Sequence, residues 1–348
     1  MNLKENLEHA LSCKKVEIKP IINTTQIGIM ESMETDISWE KTHKNPEILA
    51  KIAAAPYELA GIECVTIPFS LAIEAEATGA TTDFKNNEKV PKIKKNPFKT
   101  AEDIKIPEDF IEKEPVSAVL KSIEILEDEY PEVPIIVGNT GPFTLAGRLI
   151  GNNNVLKLIK TNPIETKEII ETCLDICMDY IEELEKHETD VICVTENLAS
   201  PKFIDPLQFK TIVKPALEDL SEFIKTKSIL QICGPTQDII SDMGNIGYDG
   251  INIGETIDLK HAKSELTPTK KHTCGCCTIK GHSHKSKLIG NISSSETLLK
   301  GSVEDVKIAV KKALDEDIDI LAPSCGLLSK TPIANIKAMI NARNEYYE

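Results

Sequence analysis

Eight short apolar runs recur along the 348 residues, and the stretches between them carry helical spacing; this alternation confines the chain to a small set of folds. The runs are 17-EIKPIINTT-25, 64-CVTIPFS-70, 133-VPIIVGN-139, 190-DVICVTEN-197, 228-SILQIC-233, 249-DGINIGE-255, 287-KLIGNI-292 and 318-IDILA-322. Continuous apolar runs of this kind mark strands buried on both faces of a parallel sheet. Helices are expected over 3–12, about 48–59, 115–129, 163–187, 206–225, 258–265, 303–314 and 331–346. Another starts at Pro142 with Thr140 or Gly141 as its cap, and Thr236 caps a short one ending near Gly244. Such a series predicts a (β/α)8 (TIM) barrel forming one domain over residues 1–348. Two insertions interrupt it: an N-terminal excursion at about 72–114, Lys-rich with Pro91, Pro97 and Pro107, and a His/Cys-rich insertion at about 267–287, before the seventh strand. A doubly wound open sheet would need a glycine-rich phosphate fingerprint. The sequence has none.

Charge narrows the partners. A net charge of −15 argues against a nucleic acid or an anionic membrane, because phosphate binding needs a concentrated basic surface. The lysines alternate with acidic residues, as in 84-FKNNEKVPKIKK-95, which reads as a solvated face. No apolar run has the length of a membrane span, and MNLKENLEHAL has the pattern of an amphipathic helix rather than a signal peptide, so a cytoplasmic location is expected. In that compartment the ten cysteines are expected to bind metal, to act in catalysis or to lie buried as thiols, rather than to form a disulfide framework.

Two of those cysteines end strands. The eighth run breaks at Pro323-Ser324-Cys325-Gly326, and the fifth ends in Cys233 followed by Gly234-Pro235. They can meet only if the sheet closes or the two strands are neighbours; otherwise both are buried structural thiols. In a barrel the carboxyl rim carries the chemistry, and Asn139, Glu196, Cys233, Glu255 and Cys325 all fall there. Cys233, Glu255 and Cys325 form a donor set suited to zinc with one position open. A thiol bound at that position would be held as a thiolate and could attack an electrophilic methyl group, so thiol alkylation is the expected reaction. Cys173 and Cys177 also stand an i, i+4 spacing apart, but on an apolar helix face, where core packing is the simpler reading.

Several stretches together resemble the uroporphyrinogen-decarboxylase-like superfamily, and within it the methylcobamide:coenzyme M methyltransferases of methanogenic archaea. They are 20-PIINTTQIG-28, 67-IPFSLAIEAEATGA-80, 138-GNTGPFTLAG-147, 196-ENLASPKFIDPLQF-209, 231-QICGPT-236, 289-IGNI-292 with 298-LLKG-301, and 319-DILAPSCGLLSKTPIANIKAM-339. The resemblance implies a zinc-bound coenzyme M thiolate that attacks the methyl group of a methylated corrinoid carried on a separate protein. It implies Cys233 and Cys325 as zinc ligands, and by position Glu255 as a carboxylate ligand. The family has His-x-Cys at the fifth strand where this chain has Gln231-Ile232-Cys233. An amide oxygen is a poor zinc ligand beside imidazole, so Gln231 is a weak replacement.

The insertion offers other donors: His272, Cys274, Cys276, Cys277, His282 and His284 lie within thirteen residues and could form an accessory Zn or Cu(I) site. His282 or His284 could complete the site with Cys233 and Cys325; the plain alternative is a surface loop that binds metal only incidentally. Asn139 and Gln26 are candidates to line the substrate pocket. Glu196 is a candidate to orient a ligand, with a solvated loop carboxylate as the alternative. Glu74 and Glu76 are candidates to shape the same cavity, or form an exposed ion pair. Two other functions remain open. A tetrapyrrole decarboxylase is expected to need arginines in the first barrel loop, whereas 23–39 has none. A metal-sensing or metal-carrying barrel would bind several ions and transfer no methyl group.

Overall fold

The computed structural model describes residues 2–12, 14–24, 38–68, 70–84, 91–266 and 286–348. Its strands are β1 (Val65–Ile67), β2 (Thr81–Asp83), β3 (Lys92–Lys95), β4 (Ile135–Thr140), β5 (Val191–Thr195), β6 (Lys227–Gln231), β7 (Gly250–Asn252), β8 (Lys287–Ile292) and β9 (Ile320–Pro323). Seven form one parallel sheet in the order β1-β4-β5-β6-β7-β8-β9, while β2 and β3 pair antiparallel in a separate hairpin. Between sequential strands of the sheet the chain returns through helices, as parallel pairing requires. The sheet's apolar residues are buried with those of the helices in one core, as the unbroken runs led one to expect.

The sheet is curled, and one segment touches both of its edges. On the β9 side, Leu321 N–H donates to Pro20 O and Ile22 N–H to Leu321 O. On the β1 side, Glu63 N–H donates to Ile21 O. The expected first strand, 17–25, is therefore reduced to an isolated parallel bridge at Ile21. Side chains explain the reduction. Ile21 N–H donates to the Glu63 carboxylate and Asn23 N–H to Cys64 Sγ, while Thr66 Oγ1 donates to Asn23 O. These bonds replace the backbone ladder that a regular strand would make.

Most helices fall where their periodicity placed them, including Leu3–Leu11, Pro46–Ala60, Glu114–Glu129, Pro163–Leu184, Val303–Asp315 and Ile333–Tyr347. Gly141 caps Pro142–Ile150, with proline at the first helical position. Among the described residues the longest helix not foreseen follows Pro142–Ile150. The stretch 151-GNNN-154 reads as a break, yet Gly151, at φ 99°, ends one helix and begins the next, Asn152–Thr161. Only glycine turns such a corner without strain. The excursion at 72–114 holds a short helix, Ile73–Ala77, and the β2–β3 hairpin. Cys173 and Cys177 are core residues: both are fully buried, and Cys177 Sγ donates to Thr140 O at 3.1 Å. Burial pushes both thiols up. None of the described helices is long and apolar enough to cross a membrane.

Arg343, on the last helix, anchors the segment that meets both sheet edges. Its guanidinium grips Glu63 with Nη1 at 3.1 Å and Nη2 at 2.6 Å, and Nη1 also donates to Lys19 O at 2.7 Å. Glu63 in turn holds Ile21 N–H. The Arg343 side chain is only 4% exposed, so its removal would strand a shielded carboxylate. Arg343→Ala is expected to lower the unfolding free energy by about 3–5 kcal/mol, measured by urea denaturation.

Candidate active site

Cys233 and Cys325 each lie two residues beyond a strand, β6 and β9 respectively. In a flat sheet those strands, with two others between them, would stand about 14 Å apart. The curl brings their ends together: the Cα atoms are 5.9 Å apart and the sulfurs 2.19 Å, joined as a disulfide. The remaining described cysteines, Cys64, Cys173, Cys177 and Cys193, are free and buried. Cys233 and Cys325 differ from them in being half-buried on the rim, so the reading of this pair as core thiols falls. Each is held by its backbone: Cys233 N–H donates to Asn197 Oδ1 at 3.0 Å, and Cys325 N–H to Ser294 Oγ at 3.1 Å. Glycines let the flanking loops approach. A Cβ on Gly254 would sit 3.0 Å from Gly234 O, and Gly234 itself has φ 104°.

When reduced, the two sulfurs would offer soft donors to one thiophilic ion, and their chemistry fits two positions of a zinc site. The other expected ligands are arranged differently. β7 ends at Asn252, so Glu255 is not its last residue but sits three residues further on, exposed on a turn, where it accepts from Ser293 Oγ at 3.4 Å. Among the described residues, no third His, Cys, Asp or Glu joins the sulfurs in a metal-binding group. Gln231 is beside them, but its oxygen accepts from Thr24 Oγ1 at 2.6 Å and its Nε2 faces Cys233 Sγ at 3.4 Å. An amide turned this way presents a donor to the site, contrary to its expected role as a weak ligand. Gln26 and the insertion's His272, Cys274, Cys276, Cys277, His282 and His284 lie outside the described residues.

Of the remaining polar candidates, Asn139, Glu74 and Glu196 are buried and Glu76 is half-buried. Asn139 Nδ2 donates to Glu74 Oε1, and that carboxylate also receives Thr140 N–H and Thr140 Oγ1. Glu74 is thus no part of an exposed pair, and burial raises its pKa. Glu76 pairs with buried His43 at 3.2 Å. Glu196 caps the helix Pro142–Ile150: Oε2 accepts from Phe143 N–H at 2.9 Å, and Oε1 from Thr144 N–H at 2.6 Å and from the Thr144 hydroxyl. It is fully buried, which excludes the solvated-loop alternative. Gly141 is required there, since a Cβ would lie 2.5 Å from Glu196 Oε2. Sequence reasoning missed Thr24, Asn197, Asn252 and Ser294. Each is an ordinary polar residue whose role appears only through its partner.

The chain thus combines a curled α/β sheet with two cysteines that meet at its rim. It belongs to the uroporphyrinogen decarboxylase (URO-D) family, whose profile matches residues 2–346. The expected resemblance within that class is borne out: the chain is 34% identical to the methylcobamide:CoM methyltransferase MtaA of Methanosarcina barkeri, across 99% of this chain and 98% of that one. A solved methyltransferase from Methanosarcina mazei superposes with a TM-score of 0.92 at 30% identity, covering 100% of both chains. A B12-independent methionine synthase from Shewanella shares the fold, with a TM-score of 0.60 at 13% identity over 94% of this chain and 98% of the other.

Burial pushes the Glu196 carboxyl from 4.5 up to about 7, against the opposing pull of its three donors. A carboxyl raised on folding contributes stability that is complete below its unfolded pKa and is lost as pH rises through the folded one. The stability of the wild type relative to Glu196→Gln, followed by denaturation between pH 4 and 8, should therefore fall by about 3 kcal/mol, mostly between pH 4.5 and 7.

Proposed function

We propose that this protein transfers a methyl group from a methylated corrinoid, carried on a separate protein, to the thiol of coenzyme M, with Cys233 and Cys325 holding a zinc ion. The observation that carries this reading is the meeting of two cysteines, 92 residues apart, at one rim of a chain so similar throughout its length to methylcobamide:CoM methyltransferases. The curled sheet is read as a (β/α)8 barrel whose first strand is the bridging segment at 20–23. Residues 1–348 are read as one domain with insertions at about 72–114 and 267–287, working in the cytoplasm.

Zinc bound by the reduced pair would lower the pKa of an incoming thiol and present it as a thiolate at neutral pH. The chain's part is to fix the two sulfurs and shield them. Asn197 and Ser294 accept the N–H groups of Cys233 and Cys325, which limits movement of both rim turns. Both cysteines are half-buried on the rim. In the transfer, a sulfur–carbon bond forms and the cobalt–carbon bond breaks, its electron pair staying with the corrinoid.

Metal analysis and a methylcobalamin demethylation assay test this. About one zinc per reduced chain and demethylation dependent on coenzyme M are expected. Cys233→Ser or Cys325→Ser should abolish stoichiometric zinc and slow demethylation by at least about 100-fold. A metal-free chain that transfers methyl at the normal rate, or one that decarboxylates a tetrapyrrole instead, would overturn the reading.

A further inference from the structure

Three residues from distant parts of the chain form a buried relay that ends at a site sulfur. Thr24 lies in the bridging segment, Gln231 ends β6 and Asn252 ends β7, and none is more than 1% exposed. Asn252 Nδ2 donates to Thr24 Oγ1 at 2.8 Å, Thr24 Oγ1 donates to Gln231 Oε1 at 2.6 Å, and Gln231 Nε2 faces Cys233 Sγ at 3.4 Å. A hydroxyl has one proton to give, and in this relay Thr24 gives it to Gln231 while accepting from Asn252. With Asn252 Nδ2 donating to Thr24, the Thr24 proton is free for the Gln231 oxygen, and there it is found. The Gln231 amide then has only its N–H end to offer the sulfur.

We propose that Gln231 is a positioning residue for Cys233 and that Thr24 and Asn252 determine which end of its amide meets the sulfur. This rests on the reading of Cys233 as a site thiolate. The reversed relay would aim the Gln231 oxygen at a thiolate, bringing two acceptors together in a shielded place, which is unfavourable. The bond from Gln231 restrains the Cys233 side chain and balances part of the charge on its sulfur. It also removes Gln231 from the ligand set, since its oxygen is turned to Thr24 and its Nε2, which only donates, is turned to the sulfur.

The test uses the full-length chain with the substitutions Thr24→Val, Thr24→Ser, Gln231→Leu and the double Thr24→Val/Gln231→Leu. Zinc affinity, measured by competition with a chelator, should weaken about tenfold in Thr24→Val and in Gln231→Leu. The double variant should be no weaker than either, because the two act through one bond, and Thr24→Ser should bind as the wild type does. With cobalt(II) in place of zinc, the d–d bands of Gln231→Leu should keep the wild-type intensity. A change in intensity showing loss of a ligand, or a Thr24→Val variant that binds as the wild type does, would overturn the proposal.

A metal-free arm separates this from the proposed function. In reduced, metal-stripped protein at one pH, iodoacetamide should alkylate Cys233 about fivefold more slowly in Thr24→Val and Gln231→Leu alike, as resolved by peptide mass spectrometry. If the wild type binds no metal but shows this pattern, the zinc reading falls and the relay stands. Unequal effects of the two substitutions, or none, would sink the relay.

Discussion

Hydrogen bonds from both edges of the sheet onto residues 20–23 hold the curl on which the rest of the molecule depends. Without that curl, the ends of β6 and β9 would be too far apart for Cys233 and Cys325 to meet. The Arg343–Glu63 clamp fastens the same segment from outside, gripping Lys19 O and Ile21 N–H through one pair of charged side chains. A contact between the last helix and the chain's first bridge thus reaches the rim through geometry alone. The segment that closes the gap between the edges also carries Thr24, so the element that shapes the sheet also holds Gln231 beside Cys233.

Polar groups inside the fold fall into two sets with different work. Thr24, Gln231 and Asn252 form a chain of hydrogen bonds that leads to the sulfur of Cys233. Glu74 and Glu196 face the helices packed behind β4 and β5. Glu74 gathers donors from Asn139 and Thr140, and Glu196 gathers those at the start of Pro142–Ile150. Unpaired, either carboxylate would be prohibitively placed in so dry a setting; with its donors Glu74 ties its own short helix to the end of β4, and Glu196 ties the end of β5 to the helix Pro142–Ile150. Gly141 belongs to the same arrangement, for only a residue without a side chain leaves room for Glu196.

Family membership and local geometry support one another here in different ways. Similarity along the full length makes the overall arrangement of strands and cysteines expected. Gln231 stands where the resemblance implies a histidine, and the structure gives the amide a physical sense: held by its oxygen, it can serve a sulfur only as a donor. A residue that looks like a poor ligand is, in its surroundings, a well-held neighbour of Cys233.

The sequence by itself determined the number and order of the buried strands from β1 onward, most of the helices and the placing of Cys233 and Cys325 at strand ends, because apolar periodicity and Gly/Pro punctuation are local signals. It also singled out Asn139 and Glu196, though not what they bond. Tertiary structure alone decided that residues 17–25 would bridge rather than pair as a strand, since the side chains of Glu63, Cys64 and Thr66 take bonds that a ladder would make. It alone decided that Glu255 would turn outward and that Thr24 would reach Gln231. Such outcomes turn on which groups the curl brings within hydrogen-bond reach, and no spacing along the chain records that distance.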